Sequence, residues 1–361
     1  MHDPRARSRA ESPRKGAKRC SKATPINLIS PLAQSPQPVI RCLGAQFVGL
    51  DFLFFTMTRT EFLRLIVGAT SAWAASGILR ANPAMSDRMH TRPIPSTSAP
   101  LPVVGCGTWR TFDVGQGPAE RTQLREVLQI LFDNGGSVID SSPMYGAAEA
   151  VVGDLLTTMK ARDKAFIATK VWTRGRQAGI EQMRRSMELL RVDRIDLMQI
   201  HNLVDWRTQL ATLRAWKTEG LVRYIGITHY TPSAYDELEV VMRAETLDFV
   251  QLDYALSDRA AEQRLLPLAV DRGIAVIVNQ PFGGGGLLQS MRARPLPAWA
   301  PEIGCETWAQ ILLKFVLANP AVTCVIPGTG RPEHMKDNVR AGFGRYPDAT
   351  LRAKMVAALS G

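Results

Sequence analysis

Short apolar runs alternate with longer amphipathic segments along the chain from residue 101 onward. In the longer segments apolar residues recur at three- and four-residue spacing, as at Leu124, Val127 and Leu131, which is typical of a helix with one buried face. The short runs have the length and composition of buried strands. They span residues 101–104, 137–139, 165–169, 195–200, 224–227, 249–252, 275–278 and 324–326.

Eight predicted strands in alternation with helices favour a closed barrel. Strands joined by helices over short connections run parallel, with the helices outside the sheet. Eight such units in roughly 260 residues fit a (β/α)8 barrel, for which about 250 residues are typical. A doubly wound dinucleotide-binding sheet fits less well, because Gly105 and Gly107 are followed by Arg110 where its third glycine belongs. The sequence therefore predicts an α/β fold, with a single TIM barrel domain over residues 100–361.

Charge and cysteine content exclude several classes of protein. The 361 residues carry a net charge of +11, but residues 1–100 hold fourteen Lys and Arg against five acidic residues. Residues 101–361 are thus left with +2, and no nucleic-acid partner is expected. The five cysteines form no CxxC pair and have no histidine at metal-ligand spacing. Neither a disulfide framework nor a metal site is therefore expected.

Three segments precede the predicted barrel. Residues 1–56 are rich in Arg, Lys, Ser and Pro and lack apolar periodicity, so they are predicted to be disordered or a mis-assigned start. Residues 57–84 have a basic start and a short apolar core, which is the layout of an export signal. Residues 85–99 are rich in Ser, Thr, Pro and Arg and are predicted to be a linker.

The predicted export signal resembles the twin-arginine type. Arg59, Phe62 and Leu63 match that pattern, whereas Thr60 stands at the position of the second arginine. Small and polar residues such as Gly68 interrupt the apolar core, so no stable membrane span is expected. A periplasmic or exported protein is predicted if the signal functions. The alternative is an amphipathic N-terminal helix on a cytoplasmic protein.

Ionisable residues end three consecutive predicted strands. Asp140, Lys170 and His201 directly follow the second, third and fourth runs, and Tyr145 lies five residues past Asp140 on the next loop. Functional groups of a barrel collect at the carboxyl ends of its strands. The four side chains are therefore predicted to share one cleft.

These four residue types suit proton transfer to a carbonyl group. A tyrosine with a pKa near ~10 is a poor acid at neutral pH, but a neighbouring Lys170 cation stabilises the phenolate and lowers the pKa of Tyr145. Asp140 would anchor the ammonium group, and His201 would hydrogen-bond the carbonyl oxygen. No side chain delivers hydride, so the chemistry requires a nicotinamide cofactor. A structural ion pair between Asp140 and Lys170 is the alternative.

Three separated motifs resemble the aldo-keto reductase superfamily over roughly residues 93–345. The first is the set of four ionisable residues, the second is LPVVGCGTW at 101–109, and the third is the segment at 325–338 that resembles the family's adenosine-phosphate segment. The resemblance implies a (β/α)8 barrel that reduces an aldehyde or ketone to an alcohol. The implied catalytic residues are Asp140, Tyr145, Lys170 and His201.

The resemblance also implies how the nicotinamide end of the cofactor is held. Thr228 and His229 stand where the family has a Ser-Asn pair for the carboxamide, and Gln251 matches the family's carboxamide-binding glutamine. Many members stack an aromatic ring on the nicotinamide after the seventh strand. At that place this chain has the sequence Asn279-Gln280-Pro281-Phe282.

At the adenosine end of the cofactor, the family's usual Lys and Arg around the 2′-phosphate align with Gly328 and His334 of this chain. Arg331 is then the cation that remains to bind the phosphate. NADP is therefore predicted, because a guanidinium binds phosphate through two hydrogen bonds, and NAD is the alternative. Glycines that begin at Gly283 let backbone approach a phosphate. The predicted cofactor-binding residues are Gly107, Thr108, Thr228, His229, Gln251, Gln280, Gly283, Thr329, Arg331, His334 and Asn338, and Trp109 is predicted to line the substrate pocket.

The sequence thus predicts an NAD(P)H-dependent aldo-keto reductase that acts on a small carbonyl substrate with a tyrosine general acid. A catalytically weak barrel that senses NADP(H) and contacts a protein partner is the alternative function. A purely structural barrel is not favoured, because four ionisable residues would then lie at the strand ends by chance. The chain is expected to be a monomer.

Overall fold

Eight parallel strands form the centre of the protein in a computed structural model, which describes residues 88–360. The predicted disordered segment 1–56 and the predicted export signal 57–84 lie outside the described residues. In chain order the strands of this sheet are β3 (Cys106–Gly107), β4 (Val138–Asp140), β5 (Phe166–Val171), β6 (Ile195–His201), β7 (Val222–Thr228), β8 (Phe249–Asp253), β9 (Ala275–Asn279) and β10 (Val322–Val325).

The sheet closes on itself. Every strand pairs in parallel with the next one along the chain, from β3 to β10. The chain beside β3 then contacts β10, because Gly105 N donates to Val325 O over 2.8 Å and Val104 forms a parallel bridge with Val325. The prediction of a (β/α)8 barrel is confirmed.

Helices surround the barrel and bury one face against it. Helix α1 (Pro118–Asp133) buries Leu124, Val127 and Leu131, as the spacing of its apolar residues predicts. A glycine with positive φ, such as Gly273 after α6 (Leu265–Arg272), turns the chain from helix to strand. The helices are α1 (Pro118–Asp133), α2 (Ala148–Met159), α3 (Arg176–Leu190), α4 (Trp206–Thr218), α5 (Tyr235–Ala244), α6 (Leu265–Arg272), α7 (Gly286–Met291), α8 (Trp308–Leu317), α9 (Pro332–Arg340) and α10 (Ala349–Ser360).

The barrel interior changes character from one end to the other. Near the amino ends of the strands, Phe166, Tyr224 and Phe249 form an aromatic layer with ring centroids 5.5 to 6.1 Å apart. Side chains two residues apart on a strand share a face, so the same faces continue toward the carboxyl ends. There the inward positions become polar, as at Lys170 on β5 and Gln251 on β8.

An antiparallel hairpin covers the amino end of the barrel. Its strands are β1 (Thr91–Pro93) and β2 (Pro100–Pro102). Ile94 and Leu101 pack into the aromatic layer, and Thr97 Oγ1 lies 2.9 Å from Tyr224 Oη.

The hairpin corrects two sequence expectations. Residues 101–104 were predicted to be the first barrel strand, but Leu101 belongs to the hairpin and the first barrel strand is β3. Proline lacks the N–H that an interior ladder needs, so the Pro-flanked Leu101 pairs only in a two-stranded sheet. The expected linker over 85–99 contains β1 within its described part.

Candidate active site

The four ionisable residues converge at the carboxyl end of the barrel. Asp140 and His201 are the last residues of β4 and β6, and Lys170 is the fifth residue of β5. Tyr145 follows β4 on a loop, and its ring centroid lies 5.1 Å from Lys170 Nζ and 6.1 Å from the His201 ring centroid. The structure therefore places all four side chains in one cluster.

A buried ion pair forms the base of the cluster. Lys170 Nζ donates to Asp140 Oδ1 over 2.6 Å and to Ser141 O over 2.7 Å, and both charged side chains are buried. Burial by itself lowers the pKa of Lys170, but the charges of Asp140 and Tyr145 outweigh it, so the net shift of the pKa is upward. Lys170 is therefore held as a cation.

Tyr145 is held as a protonated phenol. Burial raises its pKa, and the Lys170 cation opposes this through its charge and through hydrogen bonding. A lowered pKa was predicted for Tyr145 from the neighbouring Lys170 cation, and Lys170 does act in that direction. The net shift is upward because desolvation of the phenolate outweighs the cation. At neutral pH the phenol can thus donate a proton.

His201 is held neutral. Burial and the nearby Lys170 cation lower its pKa to about 3. Its Nδ1 lies 3.2 Å from the hydroxyl oxygen of Ser142, a buried contact that sequence reasoning missed. A neutral imidazole carries a single N–H, so His201 can offer a hydrogen bond without competing for the proton of Tyr145.

Two glutamines support Asp140 from neighbouring strands. Gln251 Nε2 donates to Asp140 Oδ2 over 2.9 Å, and Gln199 Nε2 donates to the same oxygen over 3.2 Å. Thr228 Oγ1 in turn donates to Gln251 Oε1 over 3.1 Å. Sequence reasoning missed Gln199, although its position two residues before His201 on a strand puts it on the same face. Thr228 and Gln251, which are predicted to bind the carboxamide, are therefore linked by hydrogen bonds to Asp140.

His229 has one fixed tautomer. Its Nδ1 accepts hydrogen bonds from the backbone N–H groups of Tyr230 at 3.1 Å and Thr231 at 3.3 Å. Burial lowers the pKa of His229, and Glu237 opposes this in part. A neutral ring whose Nδ1 accepts must carry its proton on Nε2. His229 is therefore a donor, as the family's Asn would be.

Exposed aromatic side chains stand around the mouth of the site. Trp109, which sequence reasoning placed at the substrate pocket, is 48% exposed, with the Arg110 guanidinium 4.1 Å above its ring. Trp172 is 41% exposed, and its ring centroid lies 6.3 Å from that of His201. The predicted cofactor residue Thr108 is buried, and its hydroxyl group donates to Asp140 O over 3.0 Å.

A cavity of about 490 Å³ adjoins the last strand. Three predicted cofactor residues, Thr329, His334 and Asn338, line it. Arg331 is not among its lining residues: it is 64% exposed and lies 3.9 Å from Glu333. Further lining residues that sequence reasoning missed are Phe282, Leu288, Gln289, Arg292, Arg294, Glu306 and Asp337.

Two buried amide oxygens without a partner among residues 88–360 lie at the carboxyl ends of barrel strands. Asn202 follows β6 directly and Asn279 ends β9. The side-chain oxygen of each is buried, and among residues 88–360 it has no hydrogen-bond partner. A carboxamide NH2 group can satisfy such an acceptor, because buried polar groups are normally hydrogen-bonded. The described residues thus fit the cofactor that the sequence analysis implies.

Two negative findings concern residues 88–360. No helix in this part of the chain is long and apolar enough to cross a membrane. Within the same residues, no group of three or more His, Cys, Asp and Glu side chains is arranged to hold a metal ion.

The aldo/keto reductase family model matches residues 103–353, and the chain belongs to this family. It is 26% identical over 338 residues to the NADH-specific methylglyoxal reductase of Escherichia coli strain K12, across 75% of this chain and 99% of that protein. It is 28% identical over 248 residues to the methylglyoxal reductase YeaE of the same organism, across 66% of this chain and 84% of that protein. An aldo/keto reductase from Klebsiella pneumoniae, solved with NADP and acetate, matches with a TM-score of 0.63 and 26% identity, across 72% of this chain and 92% of that one.

Family membership fixes the class of reaction. The chain is an NAD(P)H-dependent oxidoreductase that reduces carbonyl groups. The comparisons do not favour the alternative of a cofactor-sensing barrel.

Proposed function

We propose that the chain reduces a small aldehyde or ketone to an alcohol with Tyr145 as the general acid. The observation that carries this proposal is the buried cluster in which Lys170, paired with Asp140 at 2.6 Å, faces the Tyr145 ring at 5.1 Å. A protonated phenol beside a fixed cation can give up its proton because the resulting phenolate is stabilised.

Each residue of the cluster has a distinct part in the proposed reaction. When bound, the nicotinamide cofactor supplies the hydride. Tyr145 donates the proton to the carbonyl oxygen, and Lys170 stabilises the phenolate that remains. Asp140 fixes the ammonium group of Lys170, and the neutral His201 orients the carbonyl oxygen through its N–H. His229 would hold the carboxamide of the cofactor from its Nε2–H.

The proposed substrates are 2-oxoaldehydes such as methylglyoxal, together with aromatic aldehydes. Two of the relatives are methylglyoxal reductases, and both align over most of their length. The exposed faces of Trp109 and Trp172 would form an apolar wall beside His201. Such a wall suits a compact or flat carbonyl compound without demanding a particular hydrogen-bonding pattern.

Consumption of NADPH and of NADH with methylglyoxal and with an aromatic aldehyde tests the proposal. Tyr145→Phe removes only the hydroxyl group and is expected to lower kcat roughly 100- to 10,000-fold. Tyr230→Phe is the matched control, since Tyr230 is exposed and the variant keeps the ring that stacks on His229, and it should stay within about threefold of the wild type. Equal turnover by the wild type and Tyr145→Phe would refute the assignment. Cofactor binding without turnover in all three proteins would instead support the sensing function.

Location and assembly complete the proposal. The segment at 57–84 is proposed to export the protein by the twin-arginine route, with a cytoplasmic location as the alternative, and the mature chain is proposed to be a monomer. Cell fractionation of the full chain and of a chain that starts at residue 85 tests the export. Identical distribution of both would exclude it. Light scattering of the purified protein measures the assembly state.

A further inference from the structure

We propose that Ser142 is a positioning residue that holds the imidazole of His201 in the tautomer with its proton on Nε2. The inference rests on the proposed function, since it concerns the N–H group with which His201 orients the carbonyl oxygen. It names the ring nitrogen that carries this proton and the residue that fixes the choice. Ser142 has no contact with the substrate in this scheme and acts through His201.

Ser142 and His201 meet through one buried contact. Ser142 follows the end of β4 by two residues, His201 ends β6, and the serine Oγ lies 3.2 Å from Nδ1 of the histidine. Ser142 is fully buried, and His201 is 6% exposed. Among residues 88–360, Nδ1 of His201 is the only hydrogen-bond partner of the Ser142 hydroxyl group. The direction of this hydrogen bond therefore decides where the imidazole carries its proton.

The hydrogen bond has two possible directions, because a neutral imidazole has one donor and one acceptor nitrogen. If Nδ1 donated, the hydroxyl hydrogen of Ser142 would have no acceptor among the described residues, and an unpaired buried donor is destabilising. If the hydroxyl group donates, its hydrogen and the lone pair of Nδ1 are both paired. Protonation of both nitrogens is excluded, because burial and the Lys170 cation lower the pKa of His201 to about 3. The contact thus favours a serine donor and a proton on Nε2.

Nε2 of His201 is the ring nitrogen that is left for a ligand. In the part of the chain that the structure describes, Nε2 makes no hydrogen bond and is not sealed from solvent. The His201 ring lies edge-to-face with the Tyr145 ring, with centroids 6.1 Å apart. A carbonyl oxygen only accepts hydrogen bonds, so it can bind Nε2 only when this nitrogen carries the proton. In the other tautomer two acceptors would face each other, and His201 could not orient the substrate.

Backbone hydrogen bonds hold Ser142 in place. Tyr145 N donates to Ser142 O over 3.0 Å and closes the turn that carries the phenol. Just before it, Ser141 N donates to Ala168 O on β5 over 2.8 Å. Ser142 therefore supports the turn of the acid with its carbonyl group and orients His201 with its hydroxyl group. A donor that is fixed before the reaction stabilises the developing charge without further reorganisation.

Nitrogen-15 NMR of the full chain, labelled in its histidines, measures the tautomer. Couplings between the ring hydrogens and the ring nitrogens distinguish the Nε2–H form from the Nδ1–H form. His201→Gln identifies the signals of His201 among those of the five histidines. The wild type should show the Nε2–H form alone at neutral pH. Ser142→Ala should populate the Nδ1–H form, and Ser142→Thr, which keeps the hydroxyl group, should restore the wild-type spectrum.

Steady-state kinetics with an aromatic aldehyde and the preferred nicotinamide cofactor measure the consequence. Ser142→Ala is expected to lower kcat roughly 3- to 30-fold, because the carbonyl oxygen gains negative charge as hydride arrives and then depends most on the donor. The KM for the aldehyde and the Kd for the cofactor should each change less than about threefold. Ser186→Ala is the matched control: Ser186 is also fully buried, and its hydroxyl group donates to Glu149 over 3.1 Å. Its kcat should stay within about threefold of the wild type.

Three results would overturn the inference: an Nδ1–H tautomer in the wild type, an unchanged Nε2–H tautomer in Ser142→Ala, or a kcat of Ser142→Ala equal to that of Ser186→Ala. The NMR measurement does not need turnover, so it separates this inference from the proposed function. Full activity of Tyr145→Phe would refute the general acid and leave the measured tautomer of His201 as it is.

Discussion

The amino and carboxyl ends of the barrel interior are filled by different kinds of side chain, although the same strands form both ends. At the amino end, Phe166, Tyr224 and Phe249 fill the space with apolar rings, and Ile94 from the hairpin closes it. At the carboxyl end, the inward positions carry charged and amide side chains around Asp140.

The difference shows where stability and chemistry are separated in this molecule. Close packing of apolar side chains removes nonpolar area from water and stabilises the fold. A buried ion pair contributes little net stability, because desolvation offsets the Coulomb attraction, but breaking it is costly. Substitutions at the amino end should therefore change stability alone, whereas substitutions at the carboxyl end should change activity as well.

The largest effect on stability and activity is expected for Lys170→Met, because this variant leaves the buried Asp140 carboxylate without its cationic partner. We expect a loss of about 3–5 kcal/mol in the free energy of unfolding, together with a fall in kcat of roughly 100-fold or more. Urea unfolding and steady-state kinetics measure the two effects. Adding Asp140→Asn should recover part of the stability but none of the activity. A double variant no more stable than Lys170→Met would contradict the ion-pair argument.

Phe249→Ala tests the contribution of the amino end of the barrel interior to stability. Phe249 is fully buried and contacts both other rings of the aromatic layer, and its truncation should lower the free energy of unfolding by about 3–5 kcal/mol. At a temperature where the variant is folded, kcat should stay within about threefold of the wild type. Val240→Ala, on an exposed helical position, is the control and should cost less than about 0.5 kcal/mol. A large fall in kcat would show that the two ends are coupled.

His201→Gln should remove part of the acid sensitivity of the fold. The pKa of His201 falls from 6.5 to about 3 on folding, so between these values only the unfolded chain binds the proton. Stability is therefore lost as the pH falls below 6.5, by about 2 kcal/mol between pH 7.5 and pH 5. Urea unfolding at both pH values should show this loss shrinking by that amount in the variant. An unchanged loss would mean that His201 is not held neutral.

The smallest effect is expected at the hairpin. Thr97→Val removes the hydrogen bond between Thr97 Oγ1 and Tyr224 Oη and should cost about 1 kcal/mol of unfolding free energy. Thr122→Val, on an exposed position of α1, should cost less than about 0.5 kcal/mol. Equal unfolding midpoints for the two variants would show that this contact does not anchor the hairpin.

Local patterns predicted most of the barrel. Seven of the eight apolar runs overlap barrel strands, because a strand that is buried on both faces has a nearly continuous apolar sequence. The first strand was misplaced since Leu101 is equally apolar in a hairpin that packs against the barrel interior. An apolar run indicates that a segment is buried, but it does not indicate which sheet the segment joins.

Some residues of the candidate site could be predicted from the sequence, and others could not. Asp140, Lys170 and His201 were found because they directly follow apolar runs. Gln199 was missed because it lies inside a run that was predicted to be a buried strand, and its partner Asp140 lies on another strand. Arg292 was missed because nothing in its local sequence distinguishes it from a solvated arginine.

The sequence by itself determined the order of strands and helices and the residue types at the strand ends, since periodicity and spacing are local properties. Only the tertiary structure decided that Gln199 and Gln251 share one oxygen of Asp140, and that Arg292 rather than Arg331 lines the cavity. Closure of the barrel brings these residues together from distant parts of the chain. Burial, which depends on all the surrounding residues at once, then sets the charge states of Tyr145 and His201.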